Sequence, residues 1–230
     1  MTEREKILAR VSEALKTPAP VPASAHGHPA GAPAAGSSRG LQARNWLPKV
    51  GESFEERLAA FRKNALYLKA DFRLLNSLAE MAEFLVGLRD AEKWGKVGVH
   101  SGELTDLVAA KLGLPLCRTD AGYEVAELES CSIGLTECDA LVAQTGSVLV
   151  TSRSAGGRAL SVLPPHHVVL ARREQLIRDL PDAFALLKRK YGANYPSFIS
   201  FITGPSRTGD IERILVLGAH GPRRLTICCV

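Results

Sequence analysis

The sequence has few cysteines, and their spacing is not that of a metal site. The 230 residues contain an odd number of cysteines, at positions Cys117, Cys131, Cys138, Cys228 and Cys229. No two of them form a CxxC pair, whereas zinc and iron–sulfur sites use closely spaced thiolates. The sequence therefore predicts neither a disulfide framework nor a metal centre in this chain.

Long apolar runs are also missing. No stretch of about 18 consecutive apolar residues occurs, which predicts that the chain does not span a membrane. The opening residues, TEREKILARVSEALK, are charged throughout and are typical of an amphipathic helix rather than an export signal. We therefore expect a cytoplasmic protein.

Nucleotide and nucleic-acid signatures are absent as well. The chain contains neither the phosphate-loop pattern GxxxxGK[ST] nor GxGxxG after a strand, so no nucleotide cofactor, and no other cofactor, is expected. The net charge is +5, but basic residues alternate with acidic ones instead of forming a stripe. This pattern argues against nucleic acid as a partner.

Composition divides the chain into three parts. Residues 1–16 place apolar side chains at helical spacing and form an N-terminal helical arm. Residues 17–44 are rich in Pro, Ala and Gly and bury too little apolar surface to fold, which predicts a linker. Residues 45–230 are long enough to bury a core and are expected to form one α/β domain.

Helical and strand patterns alternate through this third part. The alternation predicts a Rossmann-like three-layer α/β fold, and a hairpin around Gln144-Thr145-Gly146 makes the expected sheet mixed, although mostly parallel. Helices are predicted at 54–68, capped by Ser53 with Glu56, at 78–90, at 103–112, capped by Ser101, and at 173–191. Strands are predicted at 71–76, 96–100, 140–143, 147–152, 167–171, 198–202 and 225–230.

The polar residues of interest gather in two glycine-rich blocks, Gly134–His167 and Thr203–Gly221. Glycine lets the backbone approach a ligand, while Ser, Thr and Arg donate hydrogen bonds to carboxylate or phosphate groups. This chemistry favours an anion pocket. Ordinary turns between strands account for the same composition and remain the alternative.

Ten residues of these blocks are candidates for ligand binding. They are Thr145, Gly146, Ser147, His166 and His167 in the first block and Ser206, Arg207, Thr208, Asp210 and Glu212 in the second. The loops that carry the two blocks are expected to meet at one edge of the sheet, where these side chains would share one concave site.

Arg207 is the natural centre of such a site, because its guanidinium can clamp a carboxylate with two hydrogen bonds. Asp210 and Glu212 lie two residues apart, so an extended backbone places both on one face, where they either contact ligand or pair with Arg207. His166 and His167 are adjacent on a predicted strand and point in opposite directions, so at most one faces the pocket.

Three segments carry a family resemblance, namely GLTECDALVAQTGSVLVTS, GGRALSVLPPHHVVL and TGPSRTGDIERILVLGAHGP. In this order and spacing they resemble the lactate-utilisation protein C branch of the LUD-domain family, over about residues 45–230. One departure is Gln144, because the family block often has Glu before Thr-Gly. A carboxylate role at that position cannot be carried over.

The resemblance implies a fold similar to the CoA-transferase, ribose-phosphate-isomerase and glucosamine-phosphate-deaminase group. It also implies a role beside two iron–sulfur proteins in oxidising L-lactate to pyruvate. We expect the chain to bind a small carboxylate or phosphorylated molecule in this role. The alternative is an independent acyl-transfer or sugar-phosphate enzyme, for which Glu137, Asp210 and Glu212 are the candidate carboxylates. A purely structural role ranks lowest, because of the two polar blocks.

Overall fold

A computed structural model describes residues 3–14, 48–192, 194–208, 216–218 and 220–230. The chain divides into two compact units, Met1–Ser38 and Arg39–Val230. In the first unit, helix α1 spans Glu3–Ala14. The linker predicted at 17–44 lies outside the described residues. Within the described ranges, no helix has both the length and the hydropathy needed to cross a membrane.

The second unit alternates helices and strands along most of its length. Its helices are α2 (Phe54–Tyr67), α3 (Leu78–Glu92), α4 (Glu103–Leu112), α5 (Val125–Glu129) and α6 (Leu180–Tyr191). Its strands are β1 (Asp71–Leu74), β2 (Val97–Val99), β3 (Leu116–Arg118), β4 (Ile133–Glu137), β5 (Ala140–Val142), β6 (Ser147–Thr151), β7 (His166–Ala171), β8 (Leu176–Ile177), β9 (Ile199–Ile202), β10 (Arg207–Thr208), β11 (Val216–Leu217) and β12 (Arg224–Cys229).

The main sheet has six parallel strands in the order β1-β12-β7-β4-β2-β3. Strand β7 lies near its centre, where Val168 is opposite both Thr226 of β12 and Leu135 of β4. A parallel sheet of this kind is stable only when both of its faces are covered. The predicted Rossmann-like three-layer α/β fold is confirmed.

A second sheet has the order β8-β5-β6-β9. Strands β5 and β6 form the predicted antiparallel hairpin, and β9 runs antiparallel to β6. Only Cys138 and Asp139 separate β4 from β5, so the chain leaves the main sheet at once and starts this second layer. These antiparallel pairings lie in a separate sheet, not within the parallel one, and β10 and β11 form a further antiparallel pair of their own.

Apolar side chains fill both sides of the main sheet. Helices α3 and α4 cover one face, where Leu85 and Leu104 pack against Val99 and Leu135. Helix α2 and the inner face of the second sheet cover the other. Helix α6 closes the outer face of the second sheet through Leu187. Each buried aliphatic side chain contributes about 1.5–3 kcal/mol relative to exposure, so these three cores hold the layers together.

Helix α2 begins as the sequence predicts. The Ser53 side chain accepts a hydrogen bond from the Glu56 backbone N–H, and the Glu56 carboxylate accepts one from the Ser53 backbone N–H at 3.1 Å. This capping box satisfies amide groups that the helix itself cannot pair.

The helix predicted at 173–191 is wrong in its first part. Arg173–Gln175 is a 3-10 turn and Leu176–Ile177 is a strand, because those two residues pair in parallel with Leu141 and Val142 of β5. Helix α6 begins only after Asp179, whose side chain accepts from the Asp182 N–H at 3.0 Å. Sheet pairing, a tertiary contact, outweighs the local helical pattern here.

The hairpin turn between β5 and β6 rests on helix α2. The side-chain amide of Asn64 donates to the carbonyl oxygens of Ala143 and Gln144 at 2.9 and 3.0 Å. Gly146 has φ +66°, and a Cβ added there would lie 2.8 Å from the Asn64 Cβ and 3.0 Å from the Ala65 nitrogen. Glycine is needed both for the left-handed backbone and for the close approach of the helix.

We expect Gly146→Ala to lower the free energy of unfolding by about 2–4 kcal/mol, since strain at positive φ costs about 1–2 kcal/mol and overpacking adds about 1–3 kcal/mol. Gly113→Ala is the matched control, because Gly113 has φ +63° with no heavy atom within 4 Å of its added Cβ. It should cost only the strain. Denaturant unfolding measures both variants, and equal losses would contradict the packing argument.

Candidate functional site

The two glycine-rich blocks meet in one cavity of about 180 Å³ at the amino ends of β7 and β12. Its walls are Ser161, Val162, His167, Ile202, Gly204, Pro205, Ser206, His220, Gly221, Pro222 and Leu225. Drug-sized ligand sites have volumes of about 300–1,000 Å³, so this cavity suits a much smaller molecule.

His167 is the buried imidazole in this wall. Its ring nitrogen Nε2 lies 2.9 Å from the Thr136 hydroxyl on β4, and its side chain is almost entirely buried. The other ring nitrogen, Nδ1, has no hydrogen-bond partner among the described residues. Burial lowers the pKa of His167 to about 3, so the ring is neutral at pH 7.

His166 faces the other side of the sheet, as the alternation of a strand requires. Its Nε2 lies 2.9 Å from the Thr226 hydroxyl, its Nδ1 lies 3.4 Å from a Glu92 carboxylate oxygen, and the Trp94 ring meets it edge-on. Burial, followed by the nearby positive charge of Arg224, lowers the pKa of His166 to about 4. The structure thus places His167, not His166, at the cavity.

The second block forms the opposite wall around Ser206. The Ser206 N–H donates to the Pro222 carbonyl at 2.9 Å, and the Ser206 carbonyl accepts from the Gly218 N–H at 2.8 Å. Gly204 has φ +82°, and a Cβ there would lie 2.7 Å from the Leu68 carbonyl oxygen. These backbone contacts hold Ser206 in the cavity wall.

Arg207 lies beside the cavity wall and is exposed. Its guanidinium reaches the Thr203 carbonyl oxygen at 3.4 Å and lies 3.5 Å from a Cβ built on Gly204, which lines the cavity. Thr208 belongs to β10, next to Arg207. The predicted residues Asp210 and Glu212 lie outside the described residues.

The turn residues of the first block are not brought to the cavity. Thr145 and Gly146 lie in the hairpin turn that packs on α2, and the Thr145 hydroxyl is buried with no hydrogen-bond partner among the described residues. Ser147 connects to the second block indirectly, because its hydroxyl lies 2.8 Å from that of Thr203. Of the ten predicted residues, His167 and Ser206 line the cavity together.

The described cavity wall is mostly apolar and carries no Lys, Arg, Asp or Glu; its polar side chains are Ser161, His167, Ser206 and His220. A carboxylate buried inside it would lose its hydration without gaining a counter-ion, which is costly. Such a group is better placed toward Arg207, while an apolar body would fill the space between Val162, Ile202 and Leu225. The cavity therefore fits a small molecule with distinct polar and apolar ends.

A second polar site lies at the carboxyl ends of β2 and β4. In parallel α/β sheets, ligands bind in the crevice between neighbouring strands whose following segments leave to opposite faces. Strand β2 leads to α4 on one face, and β4 leads to the second sheet on the other. Two sequence signals belong to this site. HSGE follows β2 directly, and Glu137, already a candidate carboxylate, is the last residue of β4.

Glu137 occupies this crevice, at the end of β4. Its carboxylate oxygen Oε1 accepts from the backbone N–H groups of Leu104 and Thr105 at 2.8 and 3.3 Å, at the start of α4. Gly102 is the N-cap residue, and a Cβ there would overlap this carboxylate. The predicted cap Ser101 is wrong, because its hydroxyl donates to Asp120 instead. A negative charge is favourable at a helix N-terminus.

His100 lies beside Glu137 and has a defined hydrogen-bonding pattern. Its Nδ1 lies 3.0 Å from the Ser101 carbonyl oxygen, and its Nε2 accepts from the Glu137 N–H at 3.4 Å. These partners require Nδ1 to carry the proton in the neutral ring. Gly156 packs so closely on His100 that a Cβ would overlap the ring, and the Thr119 hydroxyl donates to the Gly156 carbonyl at 3.1 Å. The loop around Gly156 therefore covers His100.

Asp139 is a buried carboxylate just beyond Glu137. It accepts hydrogen bonds from Lys190 Nζ at 2.5 Å, the Tyr191 hydroxyl at 2.6 Å and the Thr151 hydroxyl at 2.8 Å. Burial alone would raise the pKa of Asp139, but these hydrogen bonds outweigh it and lower the pKa. The network ties α6 to the start of the second sheet.

Because both histidines are buried, we expect the free energy of unfolding to decrease as the pH is lowered from 6.5 to 4. Both have a lower pKa in the folded chain, so the unfolded chain binds more protons in this window and stability falls as the pH falls. One pKa unit corresponds to 1.36 kcal/mol, so each histidine should cost about 2–3 kcal/mol between pH 7 and 4.5.

Denaturant unfolding of the wild type and His167→Gln at pH 7 and 4.5 measures this effect. The variant cannot titrate there and should lose about 2–3 kcal/mol less than the wild type on acidification. Leu66→Gln, at an exposed side chain that carries no ionisable group, is the control and should keep the wild-type dependence. The burial argument is wrong if His167→Gln and the wild type lose the same amount.

Comparison with known proteins identifies relatives of this chain. Proteins named "Lactate utilization protein C" from Bacillus licheniformis and Deinococcus radiodurans are 35% identical over 105 residues and 30% identical over 120 residues. These matches cover 44% and 52% of this chain and 44% and 56% of those proteins, so the chain spans about half the length of these relatives. A protein of the same name from Geobacillus thermodenitrificans is 25% identical over 195 residues, which is 79% of this chain and 81% of that protein.

The fold also matches a solved structure. A crystal structure of a DUF162 family protein from Deinococcus radiodurans aligns with a TM-score of 0.59 at 22% identity, over 78% of this chain and 99% of that chain. This likeness supports the fold alone. A family model described as the LUD domain matches residues 86–230, more than half of the chain. The chain therefore belongs to the LUD domain family, which confirms the resemblance drawn from its sequence.

Proposed function

We propose that this chain is a cytoplasmic, non-redox subunit or accessory protein of a bacterial system that oxidises L-lactate to pyruvate. Membership of the LUD domain family and relatives named for lactate utilisation support this role. The electron-carrying partners would be iron–sulfur proteins. The chain itself would bind a small anionic molecule.

The state of the thiols supports a non-redox role. All five cysteines are buried and free. Burial raises the pKa of Cys131 and of Cys229 to about 11, so both stay protonated at neutral pH. Iron–sulfur clusters are held by thiolates. Redox chemistry in the proposed system would then depend on other subunits.

The observation that carries the ligand proposal is the meeting of His167 and Ser206 in one small cavity. A short carboxylic acid fits its character, with the apolar end between Val162 and Leu225 and the carboxylate toward Arg207. A 2-hydroxy or 2-oxo group would bond to Ser206 or to the neutral His167 ring. The notion of a phosphorylated ligand is less favoured, because the cavity is small and apolar.

We expect Arg207→Ala to abolish growth on L-lactate and to weaken binding of L-lactate or pyruvate at least tenfold, while leaving the unfolding midpoint unchanged. The Arg207 side chain is exposed and makes only one hydrogen bond among the described residues, so folding does not depend on it. Arg207→Lys should rescue poorly, because Lys keeps the charge but lacks the planar guanidinium. Complementation of a deletion strain and titration of the purified chain measure these effects.

Arg153→Ala is the matched control, since Arg153 reaches the Asn194 carbonyl oxygen at 3.3 Å and neither residue belongs to the described cavity wall. It should support normal growth. Affinity purification of each tagged variant from the native cell tests the partners, and iron–sulfur proteins should co-purify with the wild type. Normal growth of Arg207→Ala, or purification without iron–sulfur proteins, would contradict the proposal.

A second candidate function is an independent acyl-transfer or sugar-phosphate enzyme that acts through Glu137. The observation in its favour is the place of Glu137 at the crevice where α/β enzymes bind ligands, beside His100. Its carboxylate oxygen Oε1 accepts two backbone N–H hydrogen bonds, which fix its position, and a carboxylate can attack an acyl carbon or take up a proton.

Glu137→Gln separates this candidate from a structural cap. The amide oxygen of Gln still accepts the two N–H bonds, so we expect a loss of only about 0.3–1 kcal/mol in stability from the missing charge. A catalytic carboxylate would make the variant fail to support growth on L-lactate, whereas a structural cap would not. Glu103→Gln, at the exposed first residue of α4, is the control and should grow normally in either case.

A further inference from the structure

One sheet edge of the described chain differs from the others in its chemistry. Strand β9 is an edge of the second sheet, and residues 195–203, YPSFISFIT, include no charged side chain. Unpaired edges invite pairing with another strand, and natural proteins usually protect them with charges or covering groups.

The other edges of the two larger sheets show this protection. Strand β1 carries Asp71 and Arg73, and β3 carries Arg118. Strand β8 has only two residues, and the Arg57 guanidinium donates to the Leu176 carbonyl oxygen at 2.8 Å. Only β9, among these edges, offers an apolar strand with neither charge nor cover from a described side chain.

The pairing with β6 defines which backbone groups of β9 are free. The Ser152 N–H donates to the Phe198 carbonyl oxygen at 2.9 Å, and Val150 is opposite Ser200. In an antiparallel pair, every second residue turns its N–H and C=O toward the neighbour. Phe198 and Ser200 therefore face β6, and the backbone groups of Ile199 and Phe201 face away from it.

Apolar side chains border the same edge. Phe201 packs against Phe184 of α6 with ring centroids 5.7 Å apart, and Ile199 lies on the same face of the strand because it is two residues away. Phe184 is 60% exposed and Ile199 37% exposed. A polar row of backbone groups and an apolar side-chain face thus lie together.

We propose that β9 pairs antiparallel with β9 of a second copy of this chain, about a two-fold axis at Ser200. In this register Ile199 of each copy is opposite Phe201 of the other copy. The outward N–H and C=O groups of both residues then all form hydrogen bonds across the axis. The side chains form two cross-strand pairs of a β-branched and an aromatic residue, a favourable combination. The two second sheets become one continuous sheet across the dimer.

A second copy fits this edge better than a charged partner does. When a strand pairs with its own copy, side chains of the same charge meet across the axis. An uncharged strand such as β9 avoids this repulsion, whereas a charged strand does not. A two-fold interface of this kind is closed, so it ends at a dimer and does not propagate. Phe184 of each copy would flank the new strand pair and lose its exposure to water.

Sedimentation equilibrium of the full chain tests this proposal. The wild type should have twice the chain mass of 24.7 kDa, and Ile199→Lys and Phe184→Lys should each weaken the dimer at least tenfold by adding like charges across the axis. Tyr67→Lys is the matched control, because Tyr67 is 84% exposed at the end of α2, and it should remain dimeric.

Circular dichroism and thermal unfolding establish that each variant folds. Hydrogen exchange adds a second readout, since the amides of Ile199 and Phe201 should be protected in the dimer and exchange faster on dilution, while Ser200 stays protected by β6. A wild type that stays monomeric at its highest soluble concentration, or a dimer that survives both lysine substitutions, would overturn the proposal.

Discussion

The burial of strand β7 on both of its faces is the constraint on which the rest of this structure depends. All six of its residues are buried, and it pairs in parallel with β12 on one side and β4 on the other. Val168 and Leu170 enter the core beneath α3 and α4, while Val169 and Ala171 enter the core beneath the second sheet. The same alternation sends His166 and His167 to opposite sides.

This placement leaves each histidine neutral, but with different surroundings. His166 lies near the Glu92 carboxylate and the Trp94 ring, an arrangement that closes the amino edge of the sheet on the helix side. His167 lines a small cavity, and among the described residues its ring has one hydrogen-bond partner, Thr136, and one buried nitrogen without a partner. Buried polar groups are nearly always paired, and an unpaired one is a place where a ligand or water would find a partner.

The chain thus carries polar chemistry at both edges of its main sheet. At the amino edge, two glycine-rich blocks enclose an apolar cavity beside an exposed guanidinium. At the carboxyl edge, Glu137 holds the start of α4 and the loop around Gly156 covers His100. The first edge fits a small bound molecule, and the second fits either a structural cap or a reacting carboxylate. The relatives are named for lactate utilisation, and these names do not choose between the two edges.

The sequence by itself determined the α/β class, the helix start at Ser53, the hairpin around Gly146 and the two blocks of interest, because caps, turns and hydrophobic periodicity are local signals. It also showed that only one of two adjacent histidines can face a pocket. Strand order and long-range packing decided the rest. Leu176–Ile177 became a strand only because β5 lies beside it, and Gly134 is needed only because a Cβ would overlap the Leu160 carbonyl oxygen.

Tertiary structure likewise decided which site residues meet. Thr145 and Gly146 have the composition of an anion-binding turn, yet their turn packs on Asn64 of α2, a helix that is far from them in the sequence but adjacent in the fold. Glu137 has no unusual sequence neighbours, yet the parallel pairing of β4 with β2 brings it to the first amides of α4. Such pairings join residues far apart in the chain, so no local pattern encodes them, and only the assembled sheet reveals the two edges.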